Sequence, residues 1–232
     1  MRIDKYLSKS GYGTRNEVKK IIKAKRVFVN DSLCEKIDMH IDENSDVVYV
    51  DDVLVEYEEF HYFMFHKPAG YVTTTDLTTD SIMNFIDEPY QDLFACGRLD
   101  KDTEGLLLIT NDGKLSHALL APRNHIEKEY IVRCVHELND EDIYKIENGL
   151  IEEGGNTFMP AKIFQSDPLE YHIIICEGKF HEIKRIFLAL DNEVTYLKRI
   201  RMKNLILDEN IALGEYRKLT NDELENLKEV LS

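Results

Sequence analysis

Arg98, Asp100, Lys101 and Asp102 put two carboxylates and two bases within five residues of this chain. An unbroken apolar run of strand length follows at residues 106–109, and a turn is predicted directly after it. The charged residues therefore form a polar loop at the end of a predicted buried strand. Because a rigid strand holds such a loop in place, catalytic side chains are often found there. A carboxylate at this position could attack a substrate or remove a proton.

The order of the residues in this loop makes the hypothesis more specific. Residues 97–113 read GRLDKDTEGLLLITNDG, which closely resembles the catalytic motif of the RsuA-type RNA pseudouridine synthases. In that family the Asp that follows Arg-Leu is essential, so the resemblance implies that Asp100 is the catalytic carboxylate. Asp102 is the rival on position alone, and we expect it to hold the loop by hydrogen bonds together with Thr103. A charged surface turn is the alternative interpretation when the order of the residues is ignored.

Three further segments resemble motifs of the same family. Residues 67–70 (KPAG) resemble the first motif, a loop beside the active site. Residues 127–130 (EKEY) resemble the motif whose tyrosine lies against the target base, which implies that role for Tyr130. Residues 177–185 (EGKFHEIKR) resemble the third motif, whose basic residue pairs with the catalytic Asp, which implies that role for Lys184. The family usually has Gln where this chain has Glu182, a difference that affects an amide-specific contact but not the charge pair.

The resemblance also implies the chemistry. Pseudouridine formation breaks the N-glycosidic bond of a uridine in RNA, turns the base and rejoins it through carbon, which requires neither a metal nor a cofactor. The base has to leave its stack, at a cost of about a few kcal/mol, and Tyr130 could stack on the flipped base. Lys184 would keep Asp100 ionised. Predicted RNA contacts in this part of the chain are Lys67, Arg98 and Arg185.

The N-terminal residues are basic although the chain as a whole is acidic. The formal net charge is −15, but residues 1–26 contain nine basic and two acidic side chains, which indicates a localised anion-binding face. Apolar spacing predicts two short helices, and Thr14 with Glu17 predicts a capping box at the start of the second. With a strand at residues 27–29, the pattern resembles an S4 domain, a small RNA-binding module; an ordinary solvated basic face is the alternative. The predicted RNA contacts of this module are Arg2, Lys5, Arg15, Lys19, Lys20 and Lys23.

The four cysteines are scattered and form no CxxC pair. We therefore expect neither a disulfide framework nor a metal site, and we interpret them as reduced thiols of a cytosolic protein. The N-terminus lacks the apolar segment of a signal peptide, and no apolar run reaches membrane-spanning length. These observations predict a cytoplasmic protein without a metal, a cofactor or a membrane partner.

The sequence predicts an α+β protein with two domains. An S4 RNA-binding domain with its linker occupies residues 1–59, and a pseudouridine synthase domain with a mixed, largely antiparallel sheet flanked by helices occupies residues 60–232. The predicted substrate of the monomer is ribosomal RNA, either free or in a pre-ribosomal particle. Within the family that the chain resembles, its compact length, Lys184 and its short C-terminus are most similar to the 16S enzyme, and the 23S enzyme is the alternative. A non-catalytic RNA-binding protein of ribosome assembly and an enzyme that cleaves small nucleosides are the rival classes.

Overall fold

The computed structural model describes residues 1–90, 92–152 and 154–231, and the chain divides into two compact units. The first unit contains Met1–His61 and Ile86–Leu93, and the second contains Tyr62–Phe85 and Phe94–Ser232. The short segment Ile86–Leu93 thus clusters with the first unit although it lies within the predicted second domain. In that segment the ring of Tyr90 stacks on His61, with a centroid separation of 3.4 Å. The predicted boundary near residue 60 stays a prediction.

The first unit packs two helices against a four-stranded sheet. The helices are α1 (Ile3–Lys9) and α2 (Arg15–Lys23), and the strands are β1 (Val27–Val29), β2 (Ser32–Leu33), β3 (Val48–Val50) and β4 (Val53–Leu54), in the order β2-β1-β3-β4. The predicted capping box of α2 is confirmed, because Thr14 and Glu17 exchange hydrogen bonds at the start of the helix. Ile3, Leu7 and Val18 are fully buried and join the helices to the sheet.

The second unit is built on one large sheet with helices packed on it. Its strands are β5 (Tyr62–Lys67), β6 (Phe94–Cys96), β7 (Glu104–Thr110), β8 (Lys128–Cys134), β9 (Leu150–Ile151), β10 (Thr157–Phe158), β11 (Lys162–Asp167), β12 (Glu170–Ile175), β13 (Val194–Met202), β14 (Leu205–Ile206) and β15 (Tyr216–Lys218). Its α-helices are α3 (Gly113–Leu120), α4 (Asp140–Asn148), α5 (Glu182–Leu188) and α6 (Asn221–Lys228), and short 3-10 helices are formed by Ile82–Phe85, Pro122–Asn124 and Glu229–Leu231.

The sheet order is β11-β12-β8-β13-β7-β5-β15, with β6 paired to β7 and β14 paired to β13. Among the described strands of this sheet, β7 and β13 are the parallel pair and the other pairings are antiparallel. The parallel contact is short: Glu104 lies opposite Lys198, and Gly105 lies opposite Arg199. The predicted α+β class and the mixed, largely antiparallel sheet are confirmed. The strand predicted at residues 106–109 is the buried centre of β7.

The apolar spacing of Ile183, Ile186, Phe187 and Leu190 predicts a helix over residues 180–190. Apolar residues at 82, 85 and 86 predict a short helix over residues 81–86. The helix predicted over residues 180–190 is shorter, because His181 adopts a left-handed backbone conformation (φ 50°) and α5 begins only at Glu182. The helix predicted over residues 81–86 is the 3-10 helix Ile82–Phe85. No helix in the described part of the chain is both long and apolar enough to cross a membrane.

Candidate active site

A buried lysine binds the backbone of the loop between β6 and β7, residues 97–103. Lys67 at the end of β5 is fully buried, and its Nζ donates to the backbone carbonyls of Pro68, Asp100, Lys101 and Thr103 over 2.8 to 3.3 Å. Burial lowers the pKa of Lys67 to about 8, although nearby carboxylates oppose this shift. The Lys67 ammonium group thus faces the carbonyls of this loop and not solvent, which argues against the predicted RNA contact at Lys67.

The chain that follows Lys67 clamps the same loop from the side. The Gly70 N–H donates to Lys101 O over 2.7 Å. Thr73 Oγ1 donates to Leu99 O and accepts from the Leu99 N–H, over 2.9 and 3.2 Å. These contacts place the Lys-Pro-x-Gly segment directly beside Asp100 and fix the path of the loop on both sides of it. A fixed loop holds the Asp100 carboxylate in one position, and a reacting group has to be positioned in this way before it can act on a substrate.

Asp100 forms an ion pair with α5. Lys184 Nζ lies 3.1 Å from Asp100 Oδ2 and also binds the carboxylate of Asp102. Partial burial lowers the pKa of Lys184, but its hydrogen bonds to Asp102 and Asp100 outweigh this effect and raise the pKa above the ordinary value for lysine. The lysine is therefore charged at neutral pH. His181 Nε2 lies 3.6 Å from the other carboxylate oxygen of Asp100.

Tyr130 faces Asp100 across a small cavity. It projects from β8, is 7% exposed, and lines a cavity of about 70 Å³ together with Asp100, Leu197 and Ile175. Burial raises the pKa of the Tyr130 phenol, although the neighbouring Arg199 guanidinium acts in the opposite direction. The hydroxyl is therefore protonated at neutral pH and can donate a hydrogen bond. Ile175 and Leu197 give one part of the cavity an apolar surface against which a flat ring can pack.

The cavity opens into a wider cleft of about 710 Å³. The residues at its rim include Arg98, Lys179, Phe180 and His181. Arg98 is exposed, and its side chain makes no salt bridge or hydrogen bond within the described residues. The arrangement thus combines a carboxylate with its counter-ion, a buried aromatic ring and an exposed cation at the entrance.

Comparison with known proteins agrees with this geometry. Residues 61–189 match the family model described as RNA pseudouridylate synthase, and residues 1–47 match the S4 domain. An RNA pseudouridine synthase of Bacillus subtilis strain 168 is 42% identical over 99% of this chain and 99% of its own length. The chain belongs to the RNA pseudouridine synthase family.

Two further relatives cover nearly the whole synthase. The ribosomal small subunit pseudouridine synthase A of Yersinia pestis is 37% identical, over 97% of both proteins. The crystal structure of a pseudouridylate synthase has a TM-score of 0.70 and 35% identity, and the match covers 98% of this chain and 99% of that one. The predicted family, its N-terminal S4 domain and the isomerase activity on RNA are confirmed.

Arg199 is a residue of the synthase site that the sequence analysis missed. It is 2% exposed, its Nε donates to Leu106 O over 2.8 Å, and it lies opposite Tyr130 in the pairing of β13 with β8. Its Nη2 is buried without a hydrogen-bond partner in the described structure. The alternation of β13 is the signal that could have found it, because Arg199 follows the buried Leu197 by two residues and so shares its face.

Glu182 of the synthase, which stands where the family usually has Gln, is also buried. Its Oε2 accepts a hydrogen bond of 2.9 Å from the Lys179 N–H, and the residue is 5% exposed. Burial raises the pKa of this carboxyl group, although the Lys179 N–H and the ammonium groups of Lys179 and Lys128 act in the opposite direction. The carboxylate thus orders the chain just before α5, a contact that a single Gln oxygen could also accept.

The structure separates the predicted RNA contacts of the synthase into two groups. Lys5, Arg15, Lys20 and Lys23 are exposed and form no salt bridge in the described structure, and Lys19 on the same helix is half-buried. Arg2 is paired with the buried Asp4 through two hydrogen bonds. Arg185 pairs with Glu152, and its guanidinium lies 5.0 Å from the centre of the Phe158 ring, so it is already neutralised and lies outside the cleft.

Proposed function

We propose that this synthase converts one uridine of small-subunit ribosomal RNA to pseudouridine, with Asp100 as the catalytic carboxylate. The observation that carries this proposal is the cleft in which the Asp100–Lys184 ion pair faces the buried ring of Tyr130. The substrate is inferred from the relatives whose names specify the small ribosomal subunit and which match 97% of this chain. The roles of the residues are thus inferred from the geometry of the site, and the substrate is inferred from the relatives.

The reaction proceeds in one site without any external reactant. The bond between N1 of the base and C1′ of the sugar breaks, the detached base turns, and a bond forms between C5 and C1′. The proton on C5 is then lost to solvent, and N1 gains one. In one route Asp100 attacks the sugar, and in the other it removes a sugar proton to give a glycal; both require an ionised carboxylate beside the ribose. The cavity between Asp100 and Tyr130 holds the base while it turns.

Lys184 supplies the charge that this carboxylate requires. Replacing Lys184 with Met should lower the single-turnover rate by about 100-fold, because Asp100 and Asp102 would face one another without their shared cation. Lys184→Arg should retain most of the rate. The measurement is tritium release from RNA that carries [5-³H]uridine, under excess enzyme.

The matched control for this prediction is Lys101→Met. Lys101 lies in the same loop, but its Nζ binds Asp80 and not the catalytic carboxylate. A normal rate for Lys184→Met, or an equal loss in both variants, would contradict the role proposed for Lys184.

Residues 1–59 are proposed to bind RNA, and residues 60–232 to carry out the chemistry. Changing Lys19, Lys20 and Lys23 of α2 to Ala should weaken RNA binding and reduce the slope of log K against log salt by about 2, because fewer counterions are released. Alanine favours helices, so α2 should remain folded. Fluorescence anisotropy with unmodified 16S RNA fragments at several salt concentrations measures the slope.

The control for the α2 variant changes Lys145 and Lys162, exposed lysines of the second unit that are paired with carboxylates. Their loss should leave the slope unchanged. A slope that falls equally in both variants would show that binding is spread over the whole surface and would contradict the assignment to α2.

Pseudouridine mapping of ribosomal RNA tests the whole proposal. Cells that lack the gene are complemented with the wild-type chain or with Asp100→Asn, and carbodiimide-stop sequencing reads both subunits at once. We expect one 16S site to be lost in the deletion strain and restored by the wild-type chain alone. A lost site in 23S RNA would contradict the substrate but retain the enzyme class, and no lost site in either subunit would contradict catalysis on ribosomal RNA. The proposal also includes a monomer that acts in the cytoplasm.

A further inference from the structure

We propose that Phe180 and His181 form a binding site for the nucleobase that neighbours the target uridine in the RNA. The two rings are stacked, with centroids 3.7 Å apart and planes inclined by 20°. Phe180 is 70% exposed although it is a large apolar side chain. This inference rests on the proposed function, because it concerns the same RNA substrate and the same cleft.

The place of the stacked pair in the cleft connects it with the reaction. His181 Nε2 lies 3.6 Å from Asp100 Oδ1, and Phe180, which stacks on the His181 ring, lies at the rim of the same cleft. When the ribose of the target uridine lies at Asp100 and its base lies at Tyr130, the next base along the strand leaves the cleft past this rim. The exposed face of Phe180 is then available to stack on it.

The chain around Phe180 is held firmly, so its ring is presented without a large cost in entropy. Arg185 Nη1 donates to Phe180 O over 3.1 Å, and the Arg185 N–H donates to His181 O over 2.9 Å. On the preceding residue, the Lys179 N–H is bound by Glu182 and its Nζ donates to Thr157 O. A preformed aromatic surface binds a ligand more tightly than a mobile one does, because less conformational entropy is lost on binding.

The chemistry of the rim indicates which ligand this surface fits. Proteins that bind single-stranded RNA combine aromatic rings, which stack on bases of any identity, with cations that contact the phosphates. Arg98 is an exposed cation without a salt bridge in the described structure, and it lines the same cleft as Phe180. Together, Phe180 and Arg98 fit a base and its phosphate in an unpaired segment of RNA. The cleft would then bind a neighbouring nucleotide in addition to the target uridine.

The test uses a short RNA that contains the mapped target uridine, labelled with [5-³H]uridine. Phe180→Ala should lower kcat/KM by about 5- to 150-fold through a higher KM, the range expected for the loss of one base stack. Phe180→Tyr keeps the ring and should retain the activity. Leu188→Ala is the matched control, since Leu188 is also 70% exposed but is the last residue of α5 and does not line the cleft; it should behave as the wild type.

An abasic nucleotide on either side of the target separates stacking from a merely structural effect. With the wild-type enzyme, one of the two abasic RNAs should raise KM by the same factor as Phe180→Ala. Combined with Phe180→Ala, that RNA should cause no further loss, because the two changes remove the same contact. Independent, multiplying effects of the two changes, or a normal KM for Phe180→Ala, would overturn the proposal.

The same experiment distinguishes this inference from the proposed function. Turnover by the wild type together with a normal KM for Phe180→Ala would contradict the aromatic site alone. Absence of turnover on ribosomal RNA would contradict the proposed function. In that case anisotropy with a labelled oligouridylate dodecamer still tests the site: an unchanged Kd for Phe180→Ala would overturn it, and a Kd raised within the range given above would support it.

Discussion

Asp100→Asn is expected to abolish pseudouridine formation, with a rate at least about 10⁴-fold below that of the wild type. The substitution keeps the shape of the side chain but removes the negative charge, so the amide can neither attack a sugar nor take up a proton effectively. The loop should keep its path, because Lys67, Gly70 and Thr73 bind the backbone of the loop and do not depend on the Asp100 side chain. Tritium release and a thermal unfolding curve on the same preparation measure both properties.

Asp102→Asn is the matched control for this prediction. Asp102 lies two residues away in the same loop and binds the same Lys184, but its side chain is 73% exposed whereas that of Asp100 is 25% exposed. It should lose less than about 10-fold in rate, because it shares Lys184 with Asp100 but does not line the cavity. An inactive Asp102→Asn beside an active Asp100→Asn would reverse the assignment of the two carboxylates.

Gly105→Ala should unfold or severely destabilise the second unit, by about 4 kcal/mol or more. Gly105 has a φ of 109°, and a Cβ at this position would lie 2.1 Å from Arg199 O and 2.7 Å from Arg199 N. These contacts are with backbone atoms, so no side chain can move aside. The short parallel contact between β7 and β13 therefore depends on the absence of a side chain here.

Urea denaturation followed by circular dichroism measures this effect, and insolubility of the variant on expression would count as the predicted result. Gly113→Ala is the control, because a Cβ at Gly113 meets nothing within 4 Å and the residue lies in the first turn of α3. It should be neutral or slightly stabilising. A Gly105→Ala protein with the stability of the wild type would show that β7 and β13 can separate without consequence.

The motif residues could be predicted from the sequence because their order along the chain is itself informative. Asp100 and Lys184 lie far apart in sequence, and the structure joins them in an ion pair; Tyr130, on a third element, lines the same cavity. Their catalytic roles stay predictions. The surroundings of Lys67 could not be predicted in this way. The sequence indicates a cation, but it does not indicate the four backbone carbonyls that accept hydrogen bonds from its Nζ.

Long-range packing accounts for the other differences between prediction and structure. In the sequence, Arg199 is one cation among several in residues 198–203. Only the pairing of β13 with β8 and β7 shows that it is buried beside Tyr130. The clustering of Ile86–Leu93 with the first unit likewise depends on contacts such as that of Tyr90 with His61. The alternation of β13 indicates a buried face for Arg199 but not its neighbour Tyr130. Local spacing contains no signal for the clustering of Ile86–Leu93.

The parallel contact of β7 with β13 also determines when in folding the active site can form. Strand β13 joins the part of the sheet that contains β8, β11 and β12 to the part that contains β5, β7 and β15, and five strands lie between β7 and β13 in sequence. Closing so long a loop loses chain entropy before the favourable contacts between β7 and β13 can form, and this makes the step slow. Asp100 belongs to one part and Lys184 follows β12 in the other, so we expect catalytic competence to be a late event in folding. A nascent chain interrupted before β13 contains both residues of the ion pair but lacks the strand that brings them together.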